Sequence, residues 1–177
     1  STSNNFSTEI LAVAAGSIEI AAGSVTTEAA GDQVVLSSSR GGSIADLYKY
    51  GVIRIFAGSM PANADQAEGS TPLVEITQSS GTFAAGTETN GLLMGEVAGG
   101  VLSQRSGEVW SGVATATGEA GWARFYDNSL TTGASTTAVR FDINIATSGA
   151  AFVMTNTSIT SGGTTTIDSV AITLPAS

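Results

Sequence analysis

Nearly all the acid–base chemistry open to this 177-residue chain at neutral pH rests on its fifteen carboxylates: it has no His, no Cys and a single lysine, Lys49. Zinc sites and Ser-His or Cys-His nucleophilic machinery lack their residues, and a Ser-Lys dyad depends on Lys49, which sits in no recognisable motif. A glycosidase needs only two carboxylates. Glu96, Glu108, Glu119 and Asp142 are the nominees, although acidic residues scattered over strands and loops look the same. Asp127 with Asn128, or Asp65 with Glu68, offers oxygen donors for calcium, without EF-hand or repeat spacing. The stretch GEVAGG from Gly95 to Gly100 fits neither phosphate-binding fingerprint and reads as a turn. These residues predict a protein that is not an enzyme, with no catalytic residues, cofactor or metal.

Binding is the alternative use of side chains. Trp110, Trp122, Tyr126 and Tyr50 are candidate ligand platforms, because flat rings among Ser, Thr and Asn suit sugars and exposed aromatics concentrate binding energy. A core role for the tryptophans is the competing reading. The net charge is −9, so the general field repels phosphate backbones and anionic lipid, which predicts neither nucleic acid nor membrane as partner. Arg40, Lys49, Arg54, Arg105, Arg124 and Arg140 are scattered singly and build no basic groove. The apolar stretch Ile10 to Ala15 is too short for a membrane span or a flanked signal sequence, so the expectation is a soluble chain made in a cytoplasm. The triplets at Asn5 and Asn156 then carry no glycan meaning.

The elements that must position these groups divide near residue 44. Residues 1–44 are low in complexity, with apolar clusters at Ile10, Leu11 and Val13, at Ile18 and Ile20, and at Val34 to Leu36 between Gly- and Ser-rich turns. Short strands are predicted at Ser17–Ala21 and Asp32–Ser37. An isolated hairpin is marginal in water, so the segment reads as an extended arm docking on partner subunits through Phe6, Ile10, Leu11, Ile18, Ile20 and Val34. Residues 45–177 carry one turn of helix after Ser43, stopped by Gly51, and then strands separated by Gly, Ser, Asn or Asp. The strands are predicted at Val52–Ala57, Leu73–Thr77, Gly91–Val97, Glu108–Thr117, Trp122–Tyr126, Ala138–Ala146, Phe152–Ile159 and Thr166–Leu174. Together they predict an all-β fold, a β-sandwich or jelly-roll-like domain.

Alternation sets faces. Phe141, Ile143 and Ile145 share one side of their strand and Arg140, Asp142 and Asn144 the other, which predicts one buried and one polar face. Val170, Ile172 and Leu174 repeat the design. Trp122, Arg124 and Tyr126 alternate with Ala123, Phe125 and Asp127, and Phe125 is the expected core residue.

The run GVIRIFAGSMPANAD from Gly51 to Asp65, followed by LVEIT from Leu73 to Thr77, resembles small β-rich virion structural proteins of tailed bacteriophages. GLLM at Gly91, GEVWSGVA at Gly107 and GEAGWARF at Gly118 extend the resemblance. RFD at Arg140, ATSGA at Ala146 and NTSI at Asn156 complete it, over roughly residues 45–177. The resemblance implies a virion location and no catalytic motif. It leads to a head decoration, or cement, protein that binds the major capsid protein and itself as a homotrimer on the capsid surface. The alternative is a tail or fibre module recognising a host surface glycan.

Overall fold

The computed structural model describes residues 10–14, 17–20 and 44–173. The chain forms two compact units, Ser1–Ser37 and Ser38–Ser177. In the first, β1 (Ile10–Ala14) and β2 (Ser17–Ile20) form a two-stranded antiparallel sheet. Ile10 stands opposite Ile20 and Val13 opposite Ile18, with a register shift between Ile10 and Ala12. Phe6, Val34 and the predicted strand at residues 32–37 lie outside the described residues.

The second unit opens with α1 (Ile44–Leu47), a single turn that ends as Gly51 N–H donates to Tyr48 O at 2.9 Å. The strands that follow are β3 (Val52–Ala57), β4 (Val74–Gln78), β5 (Val101–Ser103), β6 (Trp110–Val113) and β7 (Gly118–Tyr126). Then come β8 (Arg140–Ala146), β9 (Phe152–Val153), β10 (Ser158–Ile159), β11 (Thr164–Thr166) and β12 (Ser169–Thr173). They join in one curled mixed sheet in the order β11-β6-β4-β3-β7-β8-β9-β12-β5, with β10 added on β7. Among the described strands only β8 and β9 run parallel. The described chain is therefore all-β, as its short alternating runs predict.

One face of the sheet holds the core. Ile53, Ile55, Val74, Ile76, Leu102, Trp110, Ala123, Phe125, Ile145, Phe152 and Val170 are buried there, with Leu92 and Met94 brought in by a connecting segment. Phe125 lies at its centre, against Trp110, Tyr48 and Phe141. Close approach of backbones fixes two glycines. A Cβ at Gly112 would meet the Glu75 carbonyl oxygen where β6 crosses β4, and one at Gly121 would meet the Gly58 carbonyl oxygen. Gly121 also sits where the β3–β7 register slips, so that Ala120 and Ala123, three apart, both reach the core.

β1 and β5 arise where no strand is predicted, Glu108–Thr117 shortens to β6, and three further segments depart from the predicted strands. Gly91–Val97 is no strand: Leu92 and Met94 are buried through isolated bridges, while the Leu93 N–H is taken by the Glu108 carboxylate at 3.0 Å. A side chain does there what a neighbouring strand would do. Phe152–Ile159 splits into β9 and β10 because Asn156 Oδ1 captures the Ser158 N–H at 2.9 Å and turns the chain. Thr166–Leu174 gives way to β11 and β12, since Ile167 N–H reaches Trp110 O and Asp168 N–H reaches Val153 O, both at 2.9 Å, carrying the chain from one side of the sheet to the other.

Candidate functional site: a charged layer under two loops

Three of the chain's six cations lie inside its most regular strands, and register sets them side by side. Arg54 on β3 is opposite Glu75 on β4 and Arg124 on β7, and Arg124 is in turn opposite Asp142 on β8. A row Glu75–Arg54–Arg124–Asp142 thus crosses four strands on the face away from the core. Two further rows flank it: Phe56, Trp122 and Asn144 on one side, Val52, Tyr126 and Arg140 on the other. The two adjacent arginines would repel one another if bare. Each has its own carboxylate instead. Arg54 Nε donates to Glu75 at 2.8 Å, and Arg124 grips Asp142 through both prongs, Nε to Oδ1 at 2.5 Å and Nη2 to Oδ2 at 2.7 Å.

This face is polar, as the alternation in β8 predicts, but it is not solvated. Loops 58–73 and 127–139 cover it, and Arg124 is 0% exposed. Glu68 is the pin between sheet and loops: Oε1 accepts from Tyr126 Oη at 2.7 Å and from Arg124 Nη1 at 3.3 Å, and the carboxylate accepts the Gly133 N–H at 3.0 Å. Arg124 Nη1 also donates to Gln66 O at 2.8 Å, and Arg140 donates to Thr131 O, Asp65 O and Ser135 O. The rings complete the layer. Phe56 and Trp122 stack at 4.5 Å, with the Arg124 guanidinium 5.4 Å from the Trp122 centroid. Three cations and three carboxylates (Arg54, Arg124, Arg140; Glu68, Glu75, Asp142) leave the layer neutral, which makes its burial tolerable.

Burial pushes the Glu68 carboxyl up, but the Tyr126 hydroxyl, two backbone N–H groups and Arg124 more than offset this and hold it below its ordinary 4.5. Burial, with Glu68 as acceptor and neighbouring charge, raises Tyr126 well above 10, and burial with the nearby charge of Asp127 lifts Tyr48 to about 12. A depressed carboxylate stabilises the fold above its unfolded pKa and ceases to as pH falls through the folded value; a raised tyrosine stabilises below its unfolded pKa and ceases to as pH rises through the folded one. Stability should therefore fall below about pH 4.5 and again above about pH 10. The expected result for Glu68→Gln is a shallower acid limb, read as urea midpoint against pH, with the alkaline limb retained through Tyr48.

The nominated residues scatter. Glu108 is bound to Leu93 N–H and to Trp110 Nε1 (2.8 Å), Glu119 to the hydroxyls of Thr157 and Ser158, which hold its carboxyl low, and Asp142 to Arg124. Glu96 is exposed on the 95–100 turn. They occupy separate parts of the fold and form no acid–base pair. Of the candidate calcium donors, Glu68 is committed as above and Asp127 Oδ1 accepts from the N–H and hydroxyl of Ser129, while Asn128 Oδ1 is buried with no hydrogen-bond partner among the described residues. Among the described residues no group of three or more His, Asp or Glu is placed to hold a metal ion. The ligand-platform expectation needs correction: Trp110, Trp122 and Tyr126 are 0%, 1% and 1% exposed, so none offers a ring face. Trp110 fills the core, and the other two serve the charged layer because both faces of β7 are covered. Tyr50 is half-buried, with Lys49 Nζ 5.0 Å from its ring centroid. Of the arm residues, Ile10, Leu11, Ile18 and Ile20 lie in β1 and β2.

Sequence reasoning missed Arg54, Glu75 and the pairing of Arg124 with Asp142. Their signal was there: in a chain so poor in cations, VIRIF, WARFY and VRFDI each hold an arginine between apolar residues within or at the start of a strand. Comparison of the chain with protein families, curated proteins and solved structures finds no match.

Proposed function

We propose that this chain is a non-enzymatic virion structural protein of a bacteriophage, a head decoration protein that binds the major capsid protein and stabilises the capsid surface, as a homotrimer. The observation that carries the reading is the charged layer. The arginines, carboxylates and aromatic rings best suited to binding or catalysis are spent on tying loops 58–73 and 127–139 to the sheet, which suits a module selected for mechanical persistence. The resemblance of residues 45–177 to phage virion proteins and the net charge of −9, unsuited to genome contact, point the same way. The arm, residues 1–44, fastens the domain to its neighbours, and repetition over a symmetric shell turns modest contacts into avidity. Recognition of a host glycan by a tail module is the weaker reading, since Trp110, Trp122 and Tyr126 are buried.

Quantitative mass spectrometry of purified virions with particle imaging tests the location: a copy number comparable to that of the shell protein, spread over the head, is the expected result. A few copies at the tail would overturn it. Deleting residues 1–43 should leave a folded domain, because the described core lies wholly in residues 44–173, and abolish binding to undecorated shells in a co-sedimentation assay. Binding that survives the deletion would refute docking through the arm.

A further inference from the structure

Among the described residues, one edge of the sheet is closed and the other is open. Beside β5 the chain's own 93–98 segment takes the outer positions: Gly95 N–H donates to Ser103 O at 2.8 Å, Arg105 N–H to Leu93 O at 3.1 Å, and Ala98 and Val101 exchange both bonds at 3.0 Å. At the opposite end β11 pairs with β6 alone. The bonds around it set the phase of that ladder. Ala114 N–H donates to Gly163 O and Ile167 N–H to Trp110 O, so residues 163, 165 and 167 turn their main chain toward β6. Thr164 and Thr166 turn theirs away. Both are exposed, and their outward N–H and C=O groups have no partner among the described residues.

Natural edges are blunted by Lys, Pro, bulges or a covering segment. Apart from its shortness, Thr164-Thr165-Thr166 has none of these among the described residues and is rich in strand propensity. In front of it lies a cleft of about 440 Å³ whose far wall includes Thr155, Asn156, Ser158 and Thr160. Its single ionisable residue, Asp168, accepts a hydrogen bond from Thr155 Oγ1 at 2.7 Å. Hydroxyls, an amide and free main-chain groups suit an extended, uncharged segment that supplies backbone hydrogen bonds.

The chain contains such a segment. β1 is five residues long and uncharged, whereas β2 carries Glu19. Among the described residues β1 pairs with β2 alone, in a two-stranded sheet of a kind that is marginal in water and gains by joining a larger one. It belongs to a compact unit, Ser1–Ser37, separate from the one that carries β11. We propose that β1 of one copy docks as an added strand on the β11 edge of a second copy. This rests on the arm-docking reading above and names the receiving edge.

The test uses the full-length chain, in sedimentation velocity over a concentration series and backbone amide hydrogen exchange by NMR. Association should follow mass action, with the Thr164 and Thr166 N–H groups gaining protection as concentration rises and Thr165 protected throughout. Thr166→Pro removes a donor that β6 does not use, so it should weaken association roughly tenfold or more while the dilute protein melts near wild type. Thr164→Lys, a charged gatekeeper on the same edge, gives a second route should the proline unfold the strand. Association that persists in the edge variants, or none at any concentration, would overturn the inference. So would protection of Thr164 and Thr166 that is independent of concentration, which would mean that the arm folds back on its own chain. Edge variants that bind shells as wild type does, while the arm deletion does not, would sink the strand exchange and keep the decoration reading. Strand exchange without any shell binding would do the reverse.

Discussion

Replacing Arg124 with methionine should cost about 3–5 kcal/mol of stability, the range for removing one partner of a buried ion pair. The guanidinium is fully buried and serves four acceptor atoms on three residues: both Asp142 oxygens, the Gln66 carbonyl and Glu68 Oε1. Without it Asp142 is left as a carboxylate only 6% exposed, and the Glu68 end of the loops loses one of its donors. The double variant Arg124→Met, Asp142→Leu should be more stable than Arg124→Met alone, because it removes the orphaned charge and fills the space with apolar atoms. Glu68 keeps Tyr126 Oη, the Gly133 N–H and Arg140 Nη1 at 3.8 Å, so the loops stay pinned. Urea unfolding of wild type, both singles and the double closes the cycle. If the double loses the sum of the two singles, the pair is not coupled and Arg124 acts through the loop carbonyl instead.

That cycle also separates what the chain's pattern discloses from what it conceals. The alternation in β8 gives the correct sides, with Phe141, Ile143 and Ile145 toward the core and Arg140 and Asp142 away from it. It says nothing of the loops laid over the second side, because period 2 reports which residues share a face and not what covers that face. Ser59 to Ser70 looks like an ordinary polar turn region, yet Asp65, Gln66 and Glu68 meet sheet residues between 56 and 75 positions away in sequence. Contacts of that range follow from strand order, and strand order is not written in local propensity. The same limit hides the open edge. Thr164–Thr166 merges in the sequence with the strand that follows, and only the crossing at Ile167 and Asp168, each bonded to a different strand, shows that β11 ends the sheet. Where the pattern is self-sufficient, as in Val52–Ala57, the strand boundaries agree with the prediction to the residue.

Trp110→Ala should be as damaging as the loss of Arg124, about 3–5 kcal/mol by the usual cost of deleting a large buried ring. The indole is 0% exposed, meets Phe125 edge-on at 5.9 Å, and donates Nε1 to Glu108 Oε2, the oxygen that also fixes the Leu93 N–H. Its removal therefore opens a cavity in the core and loosens the carboxylate that holds residues 91–94 in place of a strand. Trp110→Phe separates the two effects. It keeps most of the ring's packing and loses one hydrogen bond, and since Glu108 is only half-buried water can take the vacant position, so the cost should be about 1–2 kcal/mol. A surface platform predicts the opposite order, with the fold untouched by either change and only ligand affinity lost. Thermal melting of the two variants, with acrylamide quenching of Trp122 in Trp110→Phe as the sole remaining indole, distinguishes them. A cooperative melt at the wild-type temperature in Trp110→Ala would put the ring outside the core. A deep loss of stability in Trp110→Ala, a shallow one in Trp110→Phe and a quencher-protected Trp122 would place both indoles where they hold the sheet together from opposite faces.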